Sequence, residues 1–200
     1  MGKAILLDMD GVIRHLDLQN AEKYAKKIGV TFTELSAIIW DRRFIKDLIC
    51  GKINREEWWI CLQKSYDILA DVNQEIIWQG VLGENYFNEE LISFVRSLKD
   101  KATIAILTNC DSISKARIVK ELERFDAFHE IFSSSDLGHA KPEIEIFLEV
   151  QKELKKQPNE IIFFDDSVDN VEAASIIGIH AFVYDTVENA KQRIYEFLGI

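Results

Sequence analysis

The sequence has few of the residues that mark specialised classes of chain. Its 200 residues include two prolines and three cysteines. The cysteines, Cys50, Cys61 and Cys110, are odd in number and lack metal-site spacing, so we expect reduced thiols and no disulfide framework. Hydrophobic residues make up 48% and charged residues 29%. These proportions predict an ordinary folded globule, of one domain or of one domain with a smaller insertion.

Long apolar segments and basic residues are also scarce. Apolar runs such as residues 4–7 and 161–164 are far shorter than the roughly 20 residues of a transmembrane helix. Asp8 and Asp10 follow the first run directly, which does not fit a signal peptide, and Leu6 replaces the Ser or Thr of a myristoylation signal. The net charge of −10 opposes binding to nucleic acid and anionic membranes, because both are bound through Lys and Arg. We expect a cytoplasmic protein, with a monomer as the simplest state.

Five short apolar runs predict a parallel sheet. They do not alternate with polar residues, which is typical of strands buried on both faces. Segments with helical periodicity separate the last four runs, so the fold class is α/β, a doubly wound parallel five-stranded Rossmann-like sheet. The predicted strands are Lys3–Leu7, Thr103–Leu107, Ile131–Ser134, Ile161–Phe164 and Ala181–Tyr184. The predicted helices between them are Ile113–Arg124, Glu143–Lys155 and Asn170–Ile177.

The stretch between the first two strands predicts an inserted α-helical bundle cap. Residues 14–87 are far more than one crossover needs, and their pattern is entirely helical. We predict a catalytic core of residues 1–13 and 88–200, with the cap at 14–87. The candidate cap helices are Leu18–Ile28, Thr33–Ile49, Arg55–Leu69 and Asn73–Trp78, with Thr33 and Asn54 as N-caps, and Asn88–Leu98 returns the chain to the sheet. The four tryptophans of this stretch, for which helix packing is favoured over a substrate pocket, are Trp40, Trp58, Trp59 and Trp78.

Polar side chains follow the predicted strands at their carboxyl ends. In an open parallel sheet this is where ligands bind, so we expect these side chains to lie together. Asp8 and Asp10 follow the first strand. The others are Thr108, Asn109 and Asp111 after the second strand, Lys141 after the third, and Asp165 and Asp166 after the fourth.

This set of side chains favours phosphate chemistry. Carboxylates from two strand ends repel and raise each other's pKa, whereas Mg²⁺ favours a few carboxylates together with water and phosphate oxygens. Asp8 is the candidate nucleophile, and Asp10 the candidate acid and base. Thr108 and the Asn109 amide are candidate donors to phosphate oxygens, and Lys141 would offset the charge crowded between phosphate and Asp8.

The sequence resembles the haloacid dehalogenase superfamily of phosphohydrolases. Its four motifs occur in order, as AILLDMDGV, IAILTN, the lysine of KPEIEIF, and IIFFDDSVDNVEAA. The insertion after the first motif matches the helical cap of that superfamily in position and character. The segments around the third and fourth motifs are similar to the branch that contains sugar-phosphate phosphatases such as glucose-1-phosphate phosphatase.

The resemblance implies roles for the catalytic and phosphate-binding residues. Asp8 would be the nucleophile and a Mg²⁺ ligand. Asp10 would be the general acid and base, with its backbone carbonyl on the metal. Thr108 would be the phosphate-binding hydroxyl, and Lys141 the amine that orients the phosphate.

The resemblance also implies the rest of a magnesium site. Asp166 would be the direct ligand from the fourth motif. Asp165 would act in the second shell or through water. Asp169 or Asn170 would help to hold that shell, or would only cap the following helix.

Side chains of the cap supply further candidates for substrate contact. Arg14 and His15 lie close in sequence to the catalytic loop, the segment that carries Asp8 and Asp10. There they could meet a phosphate or a sugar hydroxyl. Arg42 and Arg43 are more typical of a solvated surface.

The function these observations favour is a Mg²⁺-dependent phosphatase acting through a phospho-aspartate on Asp8. The partner would be a small phosphorylated metabolite, with a sugar phosphate as the leading hypothesis and a nucleotide open. A phosphomutase shares the whole constellation and remains the main alternative. A dehalogenase would not need Asp10 or the acidic pair at 165 and 166, and a non-catalytic relative would usually have lost Asp8, Asp10 or Lys141.

Overall fold

The computed structural model describes residues 2–81 and 85–200 and contains a five-stranded parallel sheet in the order β5-β4-β1-β6-β7. The strands in chain order are β1 (Ala4–Leu7), β2 (Arg14–Leu16), β3 (Asn85–Phe87), β4 (Thr103–Thr108), β5 (Glu130–Ser133), β6 (Ile161–Asp165) and β7 (His180–Val183). Each of the five predicted strands differs from the observed one by no more than one residue at either end. The predicted fold class is therefore confirmed.

Helices cover both faces of this sheet and build the insertion. In chain order they are α1 (Leu18–Lys27), α2 (Phe32–Ile39), α3 (Arg42–Ile49), α4 (Arg55–Ser65), α5 (Gln74–Val81), α6 (Glu89–Arg96), α7 (Ser112–Leu122), α8 (Ser134–Leu137), α9 (Ile144–Leu154), α10 (Val168–Ile176) and α11 (Val187–Leu198). Over the described residues, none of these helices has both the length and the apolar character needed to cross a membrane.

The central strand β1 shows why its apolar run has no alternation. Successive side chains of a strand point to opposite faces of the sheet. Ile5 and Leu7 pack into a core cluster with side chains of α6, α7 and α11. Ala4 and Leu6 pack on the other face with side chains of α9 and α10. Both faces are covered by helices, so all four side chains are buried.

The predicted helix Thr33–Ile49 is wrong, because two helices occupy this segment. The chain leaves the helical path at Trp40 and Asp41, where the Asp41 carboxylate accepts a hydrogen bond of 2.9 Å from the backbone N–H of Arg43 and starts α3. The first of the two helices is capped by Thr31, in a capping box with Glu34, and not by Thr33. Asn54 caps α4 as predicted.

The prediction that the insertion is entirely helical is also wrong. Residues 14–16 (β2) pair antiparallel with residues 85–87 (β3), with Arg14 opposite Phe87. Asn88 continues the contact, since its backbone N–H donates to the carbonyl of Ile13 at 2.9 Å. The two ends of the insertion are thus joined next to the catalytic loop. The domain boundaries at residues 13 and 88 stay a prediction.

Candidate active site

The carboxyl ends of the strands bring the predicted polar side chains to one cavity. Its volume is about 670 Å³. The predicted residues that line it are Asp8, Asp10, Thr108, Asn109, Lys141 and Asp166, and Asn170 lines it too. Helices of the insertion form the opposite wall. The structure therefore places the candidate catalytic groups at one end of this cavity.

Lys141 joins two of the strand ends. Its ammonium donates to Asp8 Oδ1 at 2.5 Å and to Asp165 Oδ2 at 2.6 Å, and a third hydrogen bond of 3.1 Å reaches the carbonyl of Leu107. The side chains of Lys141 and Asp165 are 2% and 0% exposed. Burial lowers the pKa of Lys141, but the charges of Asp8 and Asp165 outweigh it and hold that pKa above its usual value. Lys141 is therefore a charged group between two carboxylates.

The carboxylates that face the cavity are hard to ionise together. Burial raises the pKa of Asp8 to about 7, with Lys141 opposing the shift and Asp165 adding to it. Burial also raises the pKa of Asp166, and the neighbouring charge of Asp165 contributes. Such shifts are the expected result when acids share a site that lacks enough positive charge. A divalent cation would relieve them.

Three carboxylates are close enough to share a metal ion. Asp8, Asp165 and Asp166 each offer an oxygen, and these atoms lie within 4.8 Å of one another. Asp165 differs from the other two, because its oxygens already accept from Lys141, from the Ser167 backbone N–H at 2.9 Å and from Asn170 Nδ2 at 2.9 Å. Asp8 and Asp166 are the better placed ligands, and Asp165 is better placed to position Lys141.

The two residues of uncertain role at the start of α10 differ in the structure. Asn170 lines the cavity and donates to Asp165. Asp169 is exposed in the first turn of α10, where a carboxylate interacts favourably with the helix N-terminus. The supporting role suits Asn170, whereas Asp169 is an acidic residue in the first turn of a helix whose N-cap residue is Ser167.

Asp10 is held by Arg14 of the ribbon, the antiparallel pair of strands β2 and β3. Its carboxylate accepts two hydrogen bonds from Arg14, at 2.7 Å from Nε and 3.0 Å from the second nitrogen. Arg14 is buried and also faces Glu121 at 3.6 Å. The observed partner of Arg14 is thus the candidate acid, and contact of Arg14 with a phosphate or a sugar hydroxyl stays a prediction. His15 lines the same cavity.

The side chain of Asn109 is engaged with the backbone of Lys141. Asn109 Nδ2 donates to the carbonyl of Lys141 at 2.9 Å, and its Oδ1 accepts from the Lys141 N–H at 2.9 Å. This pair of bonds fixes the loop that carries the lysine. The predicted contact of Asn109 with phosphate stays a prediction. Thr108 is buried at the end of β4 and lines the cavity.

Gly11 allows the close approach of the first and fourth strand ends. Its φ is +89°, and a Cβ atom there would lie 2.2 Å from Asp166 Oδ2. Gly29 offers a matched case, with φ of +81° and no atom within 4 Å of a Cβ. The positive φ favours glycine at both positions. Of the two, only Gly11 is a position where an added Cβ atom would also clash with the candidate metal ligand Asp166.

We therefore expect Gly11→Ala to lower activity at least tenfold, because Asp166 must move away from Asp8. Gly29→Ala is expected to cost about 1 kcal/mol of stability and no activity. Steady-state kinetics and thermal unfolding of both variants check this. Equal activity of the two variants would contradict a role for the position of Asp166.

The cap wall of the cavity corrects the interpretation of the tryptophans. Trp58 and Trp59 are buried among the cap helices as predicted. Trp78 packs against the same cluster and also lines the cavity, whereas Trp40 lines the cavity. Trp40 ends α2 at the break between two helices, and that break leaves its side chain half exposed.

Contacts between cap and core involve residues to which the sequence assigned no role. Arg55 donates to both oxygens of Asp111, at 2.9 and 3.0 Å, and to Ser114. Ser134 donates to the carbonyl of Ile49 at 2.6 Å. Asp111 stood out only as an acid after the second strand, and its partner lies 56 residues away. Only the folded chain brings them together.

The more distant arginines are placed as the sequence favoured. Arg43 is exposed and pairs with Asp41 and with the Tyr66 hydroxyl. Arg42 is exposed at the start of α3. Neither lies among the described residues that line the cavity.

Comparison with known proteins places this site in a family. Residues 3–178 match the family model described as haloacid dehalogenase-like hydrolase. The chain therefore belongs to the haloacid dehalogenase-like hydrolase family, and it is an enzyme of that class.

Individual relatives agree with this assignment. The chain is similar to a phosphorylated carbohydrates phosphatase of Thermotoga maritima, at 26% identity over 94% of the chain and 86% of that protein. It is also 23% identical to drimenol cyclase drtB of Aspergillus calidoustus, over its full length but only 37% of that larger protein. A HAD family enzyme from Bacteroides thetaiotaomicron, solved with magnesium and inorganic phosphate, superposes with a TM-score of 0.76 at 23% identity, covering 92% of this chain and 95% of that one. At this identity the superposition supports the fold.

Proposed function

We propose that the protein is a Mg²⁺-dependent phosphatase that hydrolyses a small phosphomonoester through a phospho-aspartate on Asp8. The observation that carries the proposal is Lys141, which bridges Asp8 and Asp165 at one end of the cavity while Asp166 lies beside them. A nucleophile, a buried cation and a set of metal-ligating oxygens within one cavity suit phosphoryl transfer. The family assignment supports the same chemistry.

The donor set fits magnesium. The candidate ligands are carboxylate and carbonyl oxygens, which suit a hard divalent cation. Burial and the neighbouring acid Asp165 raise the pKa of both Asp8 and Asp166, and a cation would oppose this shift. Asp8 and Asp166 would hold the ion, with the backbone carbonyl of Asp10 as the third protein ligand. When bound, the ion would neutralise phosphate charge and keep Asp8 ionised. The relative solved with magnesium and phosphate supports this choice.

The protein groups account for both halves of the reaction. The Asp8 carboxylate attacks phosphorus, the bond from phosphorus to the alcohol oxygen breaks, and Asp10 in its acid form gives that oxygen its proton. Water then attacks the phospho-aspartate, Asp10 takes a proton from it, and the bond from phosphorus to Asp8 breaks to release inorganic phosphate. Lys141 offsets charge on the phosphate oxygens, and Thr108 donates a hydrogen bond. Arg14 positions Asp10.

A sugar phosphate is the reference substrate for testing this proposal. The sequence resemblance implies it, and the Thermotoga maritima relative is named for phosphorylated carbohydrates. A phosphomutase would use the same residues but release little phosphate to water. It would also depend on a sugar bisphosphate, and this requirement separates the two functions.

The test is phosphate release from sugar phosphates, nucleotides and a chromogenic aryl phosphate. We expect release with Mg²⁺ and a loss of at least about a hundredfold with chelator, restored when Mg²⁺ is added back. Circular dichroism with and without chelator shows whether the fold persists. Release that is equally fast in chelator would rule out the magnesium site, and release that requires a bisphosphate would favour the mutase.

A further inference from the structure

The cavity has two ends of different chemistry. One end is formed by the charged and polar groups of the strand ends. The other is formed by the cap, and among the described residues its lining is mainly aliphatic and aromatic. Side chains from four different helices and from the ribbon contribute to this apolar wall, including Leu16, Leu18, Phe32, Ile39, Ile45 and Trp78. The volume of about 670 Å³ lies within the roughly 300–1,000 Å³ typical of sites for small molecules.

Two large side chains of this wall are left uncovered. Leu18 is 60% exposed and Trp40 is 49% exposed, and both line the same cavity. Scattered single apolar residues on a surface need no explanation, but a contiguous apolar patch next to a polar site indicates a binding surface. A ligand with an apolar body would cover both side chains.

A third aromatic side chain of the wall, Trp78, is held in place by contacts with other side chains. The guanidinium of Arg55 lies 3.8 Å from the ring centroid of Trp78, and the same guanidinium donates to both oxygens of Asp111. Trp58 packs against Trp78 with ring centroids 5.3 Å apart. Trp78 is thus fixed before any ligand binds, so little side-chain freedom is lost when a ligand contacts it.

Polar groups on the cap side are too few for a polyhydroxylated body. Among the described lining residues they are Arg14, His15, Ser36 and Asn85, with the indole N–H groups of Trp40 and Trp78. Arg14 already donates to Asp10, and Asn85 already has an interaction of its own. A hydroxyl that is buried without a partner weakens binding by roughly tenfold or more. At this wall a sugar would bury several hydroxyls against apolar side chains without hydrogen-bond partners. A hydrocarbon body has no hydroxyls and would lose no hydrogen bonds there.

We propose that the substrate is the monophosphate ester of an apolar alcohol, whose phosphate lies at the strand ends and whose hydrocarbon body lies along the cap wall. This inference rests on the proposed phosphatase function, and it replaces the sugar phosphate by a different class of alcohol. The reaction is the same: the bond from phosphorus to the alcohol oxygen breaks, and the alcohol and inorganic phosphate leave.

The test compares esters that differ only in the alcohol. n-Alkyl monophosphates from butyl to decyl, kept below their micellar concentrations, are assayed with Mg²⁺ by phosphate release. We expect kcat/KM to rise about twofold to fourfold per added methylene until the wall is filled. n-Hexyl phosphate and sorbitol 6-phosphate form a matched pair with the same number of carbons, and we expect the hexyl ester to be preferred at least tenfold.

Two surface variants connect the preference to the wall. Trp40→Asn is expected to flatten the rise of kcat/KM with chain length, because the longer esters lose an apolar contact. Ile60→Asn is the control, since Ile60 of α4 is 42% exposed and is not among the described residues that line the cavity. Ile60→Asn is expected to keep the wild-type rates and the wild-type slope.

The outcomes separate the two proposals. Phosphate release that falls with chain length, or a preference for sorbitol 6-phosphate, would overturn the apolar substrate and leave the phosphatase standing. No release from any ester or from a chromogenic aryl phosphate, by folded protein with Mg²⁺, would overturn the phosphatase itself. A slope that Ile60→Asn flattens as much as Trp40→Asn would show that the preference does not arise at this wall.

Discussion

Asp8→Asn is expected to reduce kcat at least about 10⁴-fold, because a neutral amide cannot form the phospho-aspartate. The change keeps the shape of a buried side chain that is hydrogen-bonded to Lys141 at 2.5 Å. Lys141 retains Asp165 as its partner at 2.6 Å, so no buried charge is left unpaired. We therefore expect the fold to persist, with a melting temperature equal to or above that of the wild type, since strained catalytic groups often lower stability.

The measurement is single-turnover and steady-state phosphate release beside thermal unfolding. Brief incubation of the wild type with substrate followed by acid quenching traps any phosphoryl group on the protein, and Asp8→Asn is expected to trap none. Asp71→Asn, on an exposed residue of the cap, is the matched control and is expected to retain wild-type activity. Wild-type turnover by the Asp8 variant would remove the nucleophile from the proposal.

The sheet could be predicted from the sequence because its signals are local. Ala4–Leu7 and Ile161–Asp165 are fully buried between helices on both faces, and that environment requires an unbroken apolar run. Polar residues directly after such runs must lie at the carboxyl edge of a parallel sheet. This rule placed Asp8, Thr108 and Asp166 at one cavity, whereas Lys141 reaches the same cavity from the loop between α8 and α9.

The errors have two sources, pairing between distant segments and a single side-chain cap inside a periodic segment. Residues 14–16 are extended because residues 85–87 pair with them, and nothing within either short segment indicates a partner about 70 residues away. The break between α2 and α3 depends on one side-chain cap at Asp41, inside a segment whose apolar periodicity continues across it. This break turns Trp40 toward the cavity, so the interpretation of Trp40 as packing core had no local signal against it.

The hydrogen-bond and ion-pair partners of the site residues could not be predicted from the sequence either. Three contacts depend on the direction in which side chains point in the folded protein. They are the contacts of Arg14 with Asp10, of Asn109 with the backbone of Lys141, and of Arg55 with Asp111. The same is true of the alcohol. The resemblance to sugar-phosphate phosphatases comes from motifs at the strand ends, which in the proposed reaction would contact the phosphate. The residues of the cap wall would select the alcohol, and their positions follow from the helix break and the ribbon.

Lys141→Met is expected to have the largest effect on stability and a large effect on activity. Methionine fills a similar volume but leaves Asp8 and Asp165 facing each other without a cation, and the three side chains are 2%, 11% and 0% exposed in the order Lys141, Asp8, Asp165. Removing one partner from a buried ion pair typically costs about 3–5 kcal/mol. Loss of the cation at the phosphate is expected to lower kcat about 10³-fold. Urea unfolding without Mg²⁺ measures the loss of stability. Kinetics at a temperature where the variant stays folded measures the loss of kcat.

A second substitution separates the electrostatic cause from simple misfolding. In Asp8→Asn/Lys141→Met the Asp8 charge is gone, so one buried carboxylate without a cation remains where the single variant has two. We expect the double variant to be at least about 1 kcal/mol more stable than the sum of the two single-variant changes predicts, a coupling typical of residues in contact, while its activity stays at the level of Asp8→Asn. If the two changes in unfolding free energy simply add, Lys141 does not balance Asp8, and the charge arrangement proposed for the active site is wrong. If the double variant exceeds the additive stability yet is inactive, Lys141 and Asp8 form one electrostatic unit that the fold holds for catalysis.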